Sequence, residues 1–164
     1  MGRRFMKYTE LFESRFTVKK EWVDYNGHMN MGFYLVALDH MATDAFFNAL
    51  DIGVDYVERE AKSVFTLATN LDYVQEVFEG DPIRVTTQVL DYDAKRLHYI
   101  HCMYHGEEGF LSATNECLSM HVDMKTRKSA PFSDALQARF KEMLDAHTKL
   151  GVPEQAFRKL GIRR

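Results

Sequence analysis

Ten residues carry most of the chemistry this chain can offer. Glu21 to Asn30 reads E-W-V-D-Y-N-G-H-M-N and sets two aromatics, two carboxylates, a glycine, a histidine and two asparagines side by side. Asp24 is the one carboxylate between Trp22 and the apolar run that follows, N-M-G-F-Y-L-V-A-L-D-H-M-A-T-D-A-F-F-N-A-L, whose spacing is helical. A carboxylate just ahead of a helix faces unsatisfied backbone N–H groups and the positive end of the helix dipole. That arrangement can supply a base or a nucleophile together with an oxyanion hole. The same residues also make an ordinary turn and helix cap, because Asp, Asn and Gly are favoured in turns. Spacing alone leaves both readings open.

Other chemistries find little support. The seven histidines and the two cysteines, Cys102 and Cys117, show no metal-ligand spacing, so no metal is expected. There is no Gly-x-Ser-x-Gly elbow for a serine hydrolase. A net charge of −3 gives no basic field for nucleic acid, although a local basic site for the phosphates of a CoA-type ligand is compatible with it. The two cysteines sit in apolar strand-like runs and read as reduced core thiols of a cytoplasmic protein. The start, M-G-R-R-F-M-K, reads as a frayed basic end rather than a signal peptide. No run reaches the ~18 apolar residues of a membrane helix.

Stepping outward from the turn, the chain must build elements that hold it. Its 164 residues, 46% apolar and 27% charged, suit one soluble domain with a sizeable core. Phe16, Val18, Lys20 and Trp22 alternate as a strand would. The helix runs from Met31 to Leu50, with Leu35, Leu38, Ala42, Ala45, Phe46 and Ala49 as its apolar stripe and Gly53 as its C-terminal cap. Gly32, in the first turn, either admits a ligand or a second backbone or is simply tolerated. A short polar helix or loop covers residues 54–62. Four strand-like runs follow at residues 63–77, 82–92, 95–105 and 110–123, with Gly, Asp and Pro at their junctions. Short connections between them imply antiparallel meander neighbours. Ser133 caps a last helix that reaches Leu150. This pattern is α+β, a curved antiparallel sheet of about five strands wrapped round one long helix. Its open edges invite pairing with a second copy.

These residues resemble a known family. D-Y-N-G-H-M-N opening a long helix, with a tyrosine soon after, resembles the signature of hotdog-fold acyl-CoA thioesterases of the 4-hydroxybenzoyl-CoA thioesterase type; Asp24, Gly27, His28, Asn30 and Tyr34 fill its places. L-D-Y-V-Q-E-V-F-E-G-D-P-I-R-V is similar to that family's second strand, turn and third strand, and H-V-D-M-K-T-R-K-S-A-P to its final strand and exit. The chain is still more similar to the thioesterases of carnitine and betaine metabolism, through E-W-V-D-Y-N-G-H-M-N, D-H-M-A-T-D, K-R-L-H and A-T-N-E-C-L-S-M-H-V-D. Met31-Gly32-Phe33 and Ala68-Thr69-Asn70 depart from that pattern at places that could line an acyl pocket.

The resemblance implies a single hotdog thioesterase domain over 1–164, with its core at about 16–131 and its last helix at about 133–150. The expected activity is cofactor-free hydrolysis of a small polar acyl-CoA, betainyl-CoA above all, by a homodimer or dimer of dimers with sites between subunits. The alternatives are a non-catalytic acyl-CoA-binding hotdog module, a broad-range fatty acyl-CoA thioesterase, or a hotdog dehydratase, whose His and Asp arrangement is not evident here. In this reading Asp24 attacks the thioester or activates water, and the backbone N–H groups of Asn30 and Met31 are the oxyanion donors. Gly27 admits the thioester, and His28 and Asn30 shape the turn. Trp22 and Tyr34 either grip a quaternary ammonium by cation–π attraction or pack in the core. Glu116, in phase with Leu118, Met120 and Val122, either pairs with Arg or Lys inside the dimer or faces a cationic ligand. Phe65 and Thr66 line the pocket from a neighbouring subunit. Arg127 and Lys128 either hold CoA phosphates or form a solvated basic turn.

Overall fold

The computed structural model describes residues 7–161. Most of the expected basic N-terminal end, residues 1–6, lies outside the described residues. The chain forms β1 (Phe12–Thr17), a 3-10 turn at Lys20–Trp22, and a long helical run. That run comprises α1 (Met31–Leu38), a π segment at Asp39–Thr43 and α2 (Asp44–Ala49). Then come α3 (Val54–Glu60), β2 (Lys62–Tyr73), β3 (Pro82–Tyr92), β4 (Arg96–His105), β5 (Leu111–Asp123), the two-residue β6 (Lys128–Ser129) and α4 (Asp134–His147).

The sheet is antiparallel throughout, in the order β1-β3-β4-β5-β2, with β6 added to β5. The meander expected over all four long strands holds for β3, β4 and β5. It fails for β2, which pairs with β5 from Lys62↔Asp123 to Tyr73↔Ala113 and forms the far edge. Residues 74–81 therefore cross the end of the sheet rather than make a hairpin, and they pass beside the start of α1: Met29 N–H donates to Val77 O at 2.9 Å.

The first strand lies earlier than alternation at Phe16–Trp22 suggested. Phe12, Ser14 and Phe16 turn inward, and Val18 N–H then leaves the strand register to donate to Asp81 O. The 3-10 turn, not a strand, aims Trp22 into the core.

The stripe expected along the central helix does not hold over its first two turns. The α1 segment M-G-F-Y-L-V-A-L is apolar nearly all round, so periodicity could not select its buried face. Tyr34, Ala37 and Leu38 are buried, while Leu35 is exposed. The π segment holds one extra residue in its turn and shifts the phase. Within it Ala42 and Thr43, and beyond it Phe46, Phe47 and Leu50, face inward. At that segment Thr43 meets a polar tie across the core. His101, fully buried, has Nε2 3.0 Å from Thr43 Oγ1 and Nδ1 2.9 Å from Thr87 Oγ1. Both ring nitrogens are thus satisfied, as a buried imidazole requires. Burial pushes its pKa down to about 3.

Gly53 does not cap this helix. Asp51 takes the left-handed conformation at φ 64, and Gly53 instead precedes α3, where an added Cβ would collide with the Asn48 side chain. Ser133 caps α4 as expected, accepting from Leu136 N–H. No helix among the described residues is long and apolar enough to cross a membrane.

Candidate active site

The Asp24 turn is closed by its own backbone. Asp24 N–H donates to His28 O at 3.1 Å, Gly27 N–H donates to Asp24 O at 3.0 Å, and Val23 bridges Met29. Gly27 stands at φ +83 with open space where a Cβ would be, so the turn needs a glycine for its backbone angle. Asn30 N–H donates to Trp22 O at 2.9 Å, which seats the turn directly on the first residue of α1.

This local geometry fixes the carboxylate. Asp24 Oδ1 accepts from Asn26 N–H at 2.8 Å, and Oδ2 accepts from Asn30 Nδ2–H at 3.1 Å. His28 Nε2 lies 3.9 Å from Oδ1. The Asn26 N–H above all, then the Asn30 amide and His28, hold the Asp24 pKa below the usual carboxylate value against the opposing effect of partial burial. Asn30 also caps α1, its Oδ1 accepting from Gly32 N–H at 2.9 Å. Phe33 N–H donates to Asn30 O. Of the first helical donors, the Met31 N–H meets no acceptor among the described residues. The expected second donor, Asn30 N–H, is already engaged by Trp22 O, so the pair of backbone donors reduces to one.

Beside the turn lies a cavity of about 220 Å³ lined by His28, Met29, Met31, Tyr34, Tyr73, Val74, Gln75 and Glu76. Tyr34 is buried, and its ring meets that of Tyr73 edge-on, centroids 5.2 Å apart at 87°. Tyr73 Oη–H donates to Met31 O at 2.9 Å, and His28 Nδ1–H donates to Glu76 Oε2 at 2.6 Å. Tyr73 and Glu76 were not singled out from the sequence. They arrive on the end of β2 and the crossing segment, over 40 residues from the turn, and no local spacing announces them.

Other expected residues lie elsewhere. Trp22 is a core residue, edge-on to Phe16, with Lys19 Nζ 5.0 Å from its ring centroid, and unlike Tyr34 it does not line the cavity beside the turn. Within one chain Glu116 meets no Arg or Lys among the described residues, and it does not face the turn. Its Oε1 accepts from His98 Nε2–H at 2.6 Å and its Oε2 from Phe157 N–H at 2.8 Å, beneath the C-terminal segment. The phase that made it look apolar belongs to a sheet face covered by that segment.

Phe65 is eight residues before Tyr73 on β2, about 26 Å along the strand. Arg127, in the turn after β5 at φ 58, lies over Phe65, its guanidinium carbon 5.6 Å from the ring centroid; Lys128 begins β6. Within one chain these groups are at the far end from Asp24. Thr66 lines a second groove of about 330 Å³ between the helix and β2, with Leu35, Val36, Asp39 and Asn115 among its walls.

Residues 18–140 match the thioesterase-like superfamily. Over 147 residues the chain is 41% identical to a betainyl-CoA thioesterase of Pseudomonas aeruginosa, covering 88% of this chain and 91% of that protein. It is 37% identical to an L-carnitine dehydrogenase/betainyl-CoA thioesterase of Ruegeria pomeroyi, of which it covers 28%, with 85% of this chain matched. A hypothetical protein of Staphylococcus aureus, solved in complex with CoA, has a TM-score of 0.86 at 29% identity, over 94% of this chain and 96% of that one. A putative thioesterase of Pseudomonas putida KT2440 has a TM-score of 0.79 at 31% identity, over 94% and 99%. The chain belongs to the thioesterase-like superfamily and has its hotdog fold. Its class of activity is acyl-CoA thioester hydrolysis.

Proposed function

We propose that this protein hydrolyses a short cationic acyl-CoA, with betainyl-CoA its best substrate, and that Asp24 delivers the attack. The observation that carries the mechanism is the juxtaposition of an Asp24 carboxylate favoured in its ionised form with the open Met31 N–H at the helix start. The thioester carbonyl oxygen accepts from Met31 N–H, where the negative charge of the tetrahedral intermediate develops. One such donor is worth ~3–4 kcal/mol in the transition state. Asp24 either bonds to the carbonyl carbon or takes a proton from an attacking water. Both routes need the ionised carboxylate, and both end with the acid, CoA thiol and one water consumed. The relative of similar length, 41% identical, supports the acyl group.

The working unit in this reading is a homodimer joined through β2. That strand ends the sheet and exposes Phe65, Leu67 and Tyr73. Antiparallel two-fold pairing of β2 with its copy reverses the strand ends. Phe65 of the partner subunit and Arg127 of the partner subunit then approach the Tyr73 end of this chain. The groups too distant within one chain become neighbours of the Asp24 site, where Arg127 and Lys128 can meet CoA phosphates.

The test is thiol release from betainyl-, 4-hydroxybenzoyl-, acetyl- and medium-chain acyl-CoA by the wild type and by Asp24→Asn. Preference for betainyl-CoA, with the variant below a tenth of wild-type turnover and normally folded, is the expected result. Faster turnover of fatty acyl-CoA overturns the acyl assignment. Binding without thiol release overturns catalysis, and a variant that keeps more than a tenth of the activity overturns the role of Asp24.

A further inference from the structure

We infer that the cavity beside the Asp24 turn is the subsite for the quaternary ammonium head of the acyl group, with Tyr34 and Tyr73 as its aromatic walls and Glu76 as its counter-charge. The inference rests on the betainyl-CoA reading above and adds the residues that would impose it. The cavity is lined by His28 and Met31 and so opens beside the Met31 peptide, whose N–H receives the thioester oxygen in that reading. In a betainyl group the nitrogen is two bonds from the carbonyl carbon, so its head must lie in contact with the carbonyl position.

The chemistry of the walls suits a soft cation. The Tyr34 and Tyr73 rings stand at 87° and form a corner, and aromatic faces attract alkylammonium groups that carry no N–H to donate. Tyr73 cannot swing away freely, because its hydroxyl is bonded to Met31 O. Glu76 is held at the same cavity by His28 Nδ1. Met29 and Met31 complete a polarizable lining.

The competing sites fail on distance or occupancy. Asp39 lines the second groove, but it is eight residues along the helix from Met31, about 12 Å. That is several times the reach of a two-bond acyl group. Glu116 is taken by His98 and Phe157 N–H on another face, and the Trp22 ring is buried with Lys19 against it. Glu76 is the carboxylate among the residues that line this cavity, and it is tied to the turn through His28.

The experiment compares kcat/KM for betainyl-CoA with that for 3,3-dimethylbutyryl-CoA, which has the same shape with carbon in place of the charged nitrogen. In Glu76→Gln the ratio of the two should fall tenfold or more. In Tyr73→Leu it should also fall, whereas Tyr73→Phe, which keeps the ring, should hold it. A ratio within twofold of wild type in Glu76→Gln, in an enzyme that still releases thiol, overturns the subsite and leaves the thioesterase reading intact, even if both rates drop together. A wild type that ignores betainyl-CoA while hydrolysing other acyl-CoA thioesters overturns the substrate reading and the subsite with it.

Discussion

Asn30 hydrogen-bonds Asp24, its Nδ2 lying 3.1 Å from the carboxylate Oδ2, while the oxygen of the same amide accepts from Gly32 N–H and caps α1. One side chain thus ties the Asp24 carboxylate to the start of α1. The two parts cannot drift independently.

Substituting Asn30 separates these duties. Asn30→Ala removes the cap and should cost about 1 kcal/mol of stability, together with activity. Asn30→Asp retains capping but sets a like charge beside Asp24. The wild-type Asp24 pKa lies below the ordinary 3.8, so the active carboxylate persists as pH falls through the usual carboxylate range. The acid limb of kcat/KM should therefore lie below pH 4 in the wild type and move upward in Asn30→Asp. A pH–rate profile reads both, and a wild-type limb centred above pH 4.5 contradicts the assignment.

Tyr73→Phe deletes the bond to Met31 O and nothing else in the ring packing. A neutral hydrogen bond contributes ~0.5–1.5 kcal/mol, so kcat should fall roughly two- to tenfold with KM nearly constant. Unchanged kcat would mean that the Met31 peptide is oriented without help from β2.

Stability should fall on acidification well above the carboxylate range. His101 has its pKa lowered to about 3, and burial also lowers those of His121 and His147. In the unfolded chain each binds a proton near pH 6.5, whereas the folded state resists it. Between those values the unfolded state holds more protons, so stability drops as pH falls from about 6.5. Replacing His101 by Gln should flatten the fall in Tm between pH 7 and 4.5, measured by thermal unfolding. An equally steep fall would remove His101 as its source.

The β2 pairing is tested on the edge itself. Leu67 is half-exposed in one chain, so Leu67→Asp should do little to a monomer. It should break a dimer joined at this strand, and light scattering should show the mass halve with activity lost more than tenfold. An active monomeric wild type would remove the partner's Arg127 from the site.

Legibility followed distance along the chain. The turn, the Asn30 cap, the Ser133 cap and the bounds of β3 and β5 depend on hydrogen bonds or alternation within a few residues, and these were readable. Trp22 was ambiguous because an aromatic near a reactive turn looks the same whether it points to ligand or core. The 3-10 turn at Lys20–Trp22 decided for the core. Glu116 looked exceptional because alternation assigns a residue to a face but does not say what covers that face. His98 and the segment around Phe157 supplied the answer.

The sequence by itself determined the Asp24 turn, the helix it faces and the curved antiparallel sheet that follows, since each is written in local spacing. The tertiary structure alone decided that β2 pairs with β5, that its last tyrosine reaches Met31 O, and that Glu76 meets His28 48 positions away. It also sent Arg127 and Phe65 to the opposite end of β2 from Asp24. The physical reason is that strand periodicity fixes which way side chains point, whereas strand order and crossing segments, set by how the whole core closes on the helix, fix what they point at.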